Sequence, residues 1–171
     1  LDDGTAVAGT PSATGTLAAS DVDDGATQTW SLQGTPSTTY GNLVLNPGTG
    51  VWTYTLDNSL AATQALKEGQ TVTQTYTAGG SDGFGAYADQ TLTITITGSN
   101  DVPVITNSVA ATQGSVTEAG HLDDGTAVAG TPTVTGTLAA SDVDSGATQT
   151  WSLQGTPSTT YGNLVLNPGT G

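Results

Sequence analysis

The sequence predicts an all-β protein built from antiparallel sandwiches, and three observations carry that prediction. Apolar and polar residues alternate strictly along several short runs. Thr is abundant and Gly numbers 24, whereas Leu, Glu and Lys, which build helices, are never clustered. Residues 1–50 also recur as residues 122–171 with three differences: Ser12 against Thr133, Ala13 against Val134, and Asp24 against Ser145. The resulting period of 121 residues is that of a whole domain, since solenoid turns run about 20 to 50 residues.

In order through one period, residues 13–19, 28–33 and 41–45 read as strands, and Asn46-Pro47-Gly48 as a turn. Trp52, Tyr54 and Leu56 then alternate with Thr53 and Thr55. Residues 60–68 (LAATQALKE) read either as a helix or as a loop with one turn. Val72 and Tyr76 stand among Thr71, Thr73, Thr75 and Thr77, and Leu92, Ile94 and Ile96 among Thr91, Thr93, Thr95 and Thr97. Each run therefore has one apolar and one polar face. Ser81-Asp82-Gly83 turns the chain between the last two, and residues 115–118 supply a further strand in the second copy. About seven strands per period is the count of an immunoglobulin-like sandwich. Trp30, Trp52 and Trp151 fall on apolar faces and are expected in the core.

The strongest linker is GSNDVPVI at 98–105, where Pro103 removes a backbone donor and biases Val102 toward an extended conformation. The chain thus divides into residues 1–99, the C-terminal part of one repeat; residues 100–103, the linker; and residues 104–171, the N-terminal part of the next. The first repeat lacks about twenty-one N-terminal residues of the 121-residue period and the second its C-terminal fifty. Beginning without Met or a signal peptide, the chain is expected to be an internal excerpt of a longer array.

Fifteen carboxylates face a single base, Lys67, giving a formal charge of −14. Salt bridges cannot neutralise such a chain. Two like charges 4 Å apart repel by roughly 1 kcal/mol even in water, so acidic clusters either stay apart or hold a cation. Nucleic acid is excluded as a partner, because binding it takes Lys and Arg to displace counterions. No apolar run approaches the roughly 18 residues of a membrane span. Catalysis has little to work with: Cys and Arg are absent, His121 falls in a loop, and the Ser residues have no nearby base to activate them. The protein is expected not to be an enzyme.

Three acidic features stand where strands end: SDVDD at 20–24 with its twin SDVDS at 141–145, NDVP at 100–103, and SDG at 81–83. On an extended chain Asp21 and Asp23 point the same way, ~6.6 Å apart at ~3.3 Å per residue, so a slight turn brings both to one cation. Calcium suits such donors, taking 6 to 8 oxygens in loose geometry, whereas zinc wants His or Cys. Isolated pairs such as Asp3-Gly4 and Asp124-Gly125 read as turns. Asp24, replaced by Ser145, is peripheral.

The runs GTLAASDVDSGATQTWSL (136–153) and VTEAG (116–120), with TYTLDN, QAL, SDG and TITGSNDVP in order between 51 and 105, resemble the VCBS repeats of giant bacterial adhesins exported by type I secretion. The resemblance covers nearly the whole chain and extends more distantly to cadherin repeats. It implies a cadherin-like sandwich at the bacterial cell surface, serving as an extender stiffened by calcium between neighbouring repeats of the same chain. The complete junction would use Asn100 and Asp101 of the linker with Asp142 and Asp144 of the following domain. Glu68 is the nearest counterpart of the cadherin Asp-Arg-Glu. Asp21, Asp23 and Asp82 would serve the opposite end of the first domain, and Glu118, matching the strand-A Glu, the far end of the second. Because residues 51–100 of another molecule could supply what the second domain lacks, strand exchange between chains is a further expectation. A second functional reading is a domain that binds glycans or ice through exposed aromatics and the Thr ladder at 91–97.

Overall fold

The computed structural model describes residues 9–171, and the chain separates into two compact units. One runs to Asp101 and takes in Val143–Ser145; the other comprises Val102–Asp142 and Gly146–Gly171. The turn expected at Asp3-Gly4 lies outside the described residues.

The first unit holds β1 (Ser12–Thr16), β2 (Thr29–Leu32), β3 (Gly41–Leu45), β4 (Val51–Leu56), β5 (Thr71–Ser81) and β6 (Tyr87–Thr97). They form two antiparallel sheets, in the orders β1-β4-β3 and β2-β5-β6. Leu43 and Tyr54 from the first sheet meet Tyr76, Ala78, Leu92, Ile94 and Ile96 from the second in one buried core. The period-two pattern explains which residues enter it. Along β6, Leu92, Ile94 and Ile96 are buried while Thr91, Thr93, Thr95 and Thr97 face solvent. Each large apolar side chain so buried stabilises the unit by about 1.5–3 kcal/mol. This is the antiparallel sandwich that the alternation predicts.

Polar groups inside the sandwich are paired, as burial requires. The Tyr54 hydroxyl donates to Gln74 Oε1 at 2.6 Å, Gln74 Nε2 donates to Ser37 Oγ at 2.8 Å, and the Tyr76 hydroxyl donates to the Ser37 carbonyl at 2.9 Å. Burial, and then the neighbouring Tyr76, push the Tyr54 phenol up to about 12. Trp30 is buried and Trp52 half-buried, in line with the core expectation, and Trp151 is half-buried too.

The segment at 60–68 resolves as a single helical turn, α1 (Ala61–Gln64), followed by Leu66, whose side chain closes the core. The corner between β3 and β4 is fixed by Asn46, whose Oδ1 accepts the N–H groups of Gly48 at 3.0 Å and Thr49 at 3.1 Å. Gly50 completes it with φ of 68°, and a Cβ there would lie 2.6 Å from the Leu17 carbonyl oxygen.

The second unit contains only short ladders: β7 (Val104–Ile105) with β10 (Ala140–Ser141), and β8 (Gly120–His121) with β9 (Ala127–Val128). A 3₁₀ turn covers Val109–Thr112. The strand expected at 115–118 is reduced to one bridge, Thr117 to Thr131. Residues 150–153 and 162–166, copies of β2 and β3, form no strand. The reason is pairing. β2 is laddered to β5 and β3 to β4, and the 171 residues hold one copy of those partners. At Asp124-Gly125 the expected turn is present: Thr126 N–H donates to Asp124 Oδ1 at 2.8 Å and Gly125 has φ of 84°. The Thr126 hydroxyl and N–H hold the Asp124 carboxyl below its ordinary range. Among the described residues no helix is long and apolar enough to cross a membrane.

Candidate functional site

The first unit carries acidic residues at both ends of its sandwich. β5 runs from Thr71, opposite Thr97, to Ser81, opposite Tyr87, so the two ends lie roughly 33 Å apart at ~3.3 Å per residue.

At the Thr97 end the chain leaves β6 through Gly98, whose N–H donates to the Gln70 carbonyl and whose own carbonyl accepts from Gly69. Three residues on, Asp101 N–H donates to Asp144 Oδ2 at 2.9 Å, and the Asn100 side chain donates to the Asp101 carbonyl at 2.7 Å. The segment bearing Asp144 is held by a further bond, Ser145 N–H to the Ala65 carbonyl at 3.1 Å, just past α1. Asp144 is 7% exposed, its Oδ1 is enclosed, and Asp101 is half-buried. Enclosing a carboxylate is costly unless it is hydrogen-bonded or balanced by positive charge, and the Asp101 N–H supplies one such bond. Glu68 belongs to this end, next to the Gly69–Gly98 bond, with its side chain exposed. Asp142, described with the second unit just after β10, is half-buried.

At the Ser81 end, Asp23 N–H donates to Asp21 Oδ1 at 2.8 Å, folding the two residues into a turn with both side chains exposed. Asp82 accepts three N–H groups on Oδ1, from Phe84 at 2.7 Å and from Gly85 and Ala86 at 3.0 Å each. That carboxylate organises its own loop. Thr27 N–H donates to the Asp82 carbonyl at 3.1 Å, so the Asp21–Asp23 loop and the Asp82 loop are neighbours. Glu118 stands exposed in the second unit, one residue past the Thr117–Thr131 bridge.

The structure thus joins Asp101, Asp144 and, through the backbone, Asn100. Among the described residues no three His, Asp or Glu side chains converge into a metal-binding group. The donors at Asp101 and Asp144 are all oxygens, a set that fits a hard cation such as calcium, which also accepts carbonyls and waters. Two participants escape a reading by residue type: the Ala65 carbonyl and the Ser145 N–H. The one signal is positional, since Ser145 is where the second copy departs from Asp24.

A family model described as bacterial cadherin-like domain matches residues 1–98. No curated protein and no solved structure matches the chain.

Proposed function

The chain belongs to the bacterial cadherin-like domain family, and from that membership we propose that it is a calcium-stiffened extender repeat of a bacterial surface adhesin. Domains of this kind are typically structural and non-enzymatic, and they suggest an extracellular or surface setting. The observation that carries the finer reading is the enclosed Asp144 carboxylate held against the Asp101 backbone beside Asn100, in a chain of net charge −14. Without a cation, like charges at such a junction repel. With one, Asn100, Asp101, Asp142 and Asp144 supply oxygens from both sides of the linker and the string of repeats stiffens, projecting an adhesive region away from the cell in adhesion or biofilm. Asp21, Asp23 and Asp82, with Glu68 and Glu118 in supporting places, would serve the remaining junctions.

Extracellular calcium sites have dissociation constants of about 10⁻⁴ to 10⁻³ M. Millimolar calcium outside a cell fills such sites and micromolar calcium inside leaves them empty, so the chain would stiffen after export. At a free concentration 100 times the dissociation constant, each site adds about 2.7 kcal/mol. Calorimetry of the chain in millimolar calcium and in chelator should show a higher Tm with calcium, and Asp144→Asn should remove most of the rise. A Tm indifferent to chelator sinks the proposal.

One observation favours the second reading, a Thr-rich face that would bind ice or glycans. Thr71, Thr73, Thr75 and Thr77 of β5 lie directly opposite Thr97, Thr95, Thr93 and Thr91 of β6. The twist of a sheet works against a flat ice-matching array, and an ice-affinity assay with a glycan array decides the point.

A further inference from the structure

Among the described residues Asp precedes Gly at 24–25, 82–83 and 124–125. All three pairs sit in turns, with φ of 80°, 85° and 84° at Gly25, Gly83 and Gly125. Such a pair is chemically labile, because glycine places no side chain in the way when its own nitrogen approaches the aspartyl Cγ. How firmly the fold holds the two reacting groups decides whether that approach occurs.

The three pairs differ in this respect. At Asp82 the carboxylate is tied down by the N–H groups of Phe84, Gly85 and Ala86. Its backbone is held too, the carbonyl accepting Thr27 N–H at 3.1 Å and the N–H donating to the Ala86 carbonyl at 3.4 Å. Gly83 is crowded, since a Cβ there would lie 3.0 Å from Thr27 Oγ1. At Asp124 both reacting groups are engaged: Oδ1 accepts Thr126 N–H at 2.8 Å, and Gly125 N–H donates to the Leu122 carbonyl at 2.9 Å. Asp24 has neither restraint. Among the described residues nothing hydrogen-bonds its carboxylate or the Gly25 N–H, and the turn is closed by one long bond, Ala26 N–H to the Asp23 carbonyl at 3.3 Å. Both residues are exposed, and a Cβ at Gly25 would meet nothing within 4 Å.

We propose that Asp24-Gly25 is a site of spontaneous backbone modification, where the folded chain converts aspartate to isoaspartate faster than at either of the other two pairs. The Gly25 nitrogen bonds to Asp24 Cγ, and its proton leaves with the hydroxyl of the protonated carboxyl as water, giving a cyclic succinimide. Water then adds back. Opening the Cγ–N bond restores aspartate. Opening the bond from Gly25 N to the Asp24 main-chain carbonyl carbon leaves the chain running through Cβ and Cγ, with that carbonyl now a free carboxylate. One water is released and one consumed, so no oxidant or cofactor takes part. The loop gains a backbone atom between Asp23 and Gly25, and the Ala26 to Asp23 bond no longer closes the same ring. That loop also carries the Asp23 N–H to Asp21 Oδ1 bond at 2.8 Å, so the change falls beside both carboxylates. The second copy has Ser145 before Gly146, exposed and with φ of 75° at the glycine, and is inert at this position. Two near-identical repeats thus differ in chemical lifetime through one residue. The reaction needs neither an ion nor a second chain, so it stands apart from the calcium reading.

The test incubates the full chain for weeks in mildly acidic buffer with chelator, beside a sample unfolded in guanidinium. Isoaspartate is labelled with isoaspartyl methyltransferase and tritiated S-adenosylmethionine. It is located by peptide mapping with a protease that cuts before Asp and not before isoaspartate. Each hydrogen bond that must open before the ring closes lowers the reactive population by up to roughly tenfold. The folded chain should therefore carry on the order of tenfold more label at Asp24 than at Asp82 or Asp124, with loss of cleavage between Asp23 and Asp24. In guanidinium the three positions should label at similar rates. Asp24→Ser, which installs the residue of the second copy, should remove that label and leave the fold intact. Label spread evenly over the three pairs of the folded chain overturns the proposal, as does an Asp24 that reacts no faster than Asp82.

Discussion

Residues 29–32 and 150–153 are both Thr-Trp-Ser-Leu, and residues 41–45 and 162–166 are both Gly-Asn-Leu-Val-Leu, yet only the first member of each pair is a strand. The turns beside them do not differ. Asn167 Oδ1 accepts from Gly169 at 2.9 Å and Thr170 at 3.2 Å, as Asn46 does from Gly48 and Thr49. Within one molecule, then, the same peptide is seen with and without its hairpin partner, and what changes is the ladder and the burial. Turn geometry here is local, stored in one Asn and one Gly. Strand identity is not: a half-buried pleated surface exists only when another sheet covers it.

The largest way to break that contrast is to remove matched core atoms. Leu43→Ala should cost about 2–5 kcal/mol of first-unit stability, as deletions in packed cores do, whereas Leu164→Ala should stay within about 0.5 kcal/mol. Guanidinium unfolding followed by tryptophan fluorescence reads both, and equal losses would show that the second copy is packed like the first. A smaller effect comes from adding one methyl. At Gly41 a Cβ runs into the Thr55 carbonyl oxygen, while at Gly162 nothing lies within 4 Å. Gly41→Ala should therefore cost about 1–3 kcal/mol, and Gly162→Ala should leave the unfolding midpoint where it was.

The gentlest handle is alkaline pH. The Tyr54 phenol, raised by burial to about 12, stays protonated in the folded unit after an exposed phenol at about 10 has ionised. The unfolded chain thus holds fewer protons across that interval. Its contribution to stability is fully present below pH 10 and declines between about 10 and 12, by at most about 1.4 kcal/mol per pH unit. Unfolding midpoints at pH 9, 10 and 11 should fall for the native chain, and Tyr54→Phe should flatten the fall.

How far the residues alone reveal this molecule follows from the same contrast. β4, β5 and β6 are legible because their alternation is strict and their partners are present. The copies of β2 and β3 at 150–166 carry the identical signal and yield no strand, since periodicity reports what a segment can pair with and not whether the partner is there. Residues 115–118 reach only one bridge, Thr117 to Thr131. The stretch at 60–68 is ambiguous in sequence because nine residues cannot sustain a helix without packing; one turn forms, and Leu66 docks. Of the acidic features, Asp144 accepts the Asp101 backbone N–H, whereas Asp82 spends one oxygen on its own loop, the commonest use of Asp beside Gly. Backbone donors such as Ser145 N–H carry no signature of residue type, so only the folded chain reveals them.

The corner at Asn46, present again at Asn167, bears on how a string of such modules acquires its shape. A corner that closes over five residues forms on the timescale of a short loop, far sooner than ladders spanning forty. The segment that carries the corner would then wait with its bend already set, so that the arriving strands have one register to find.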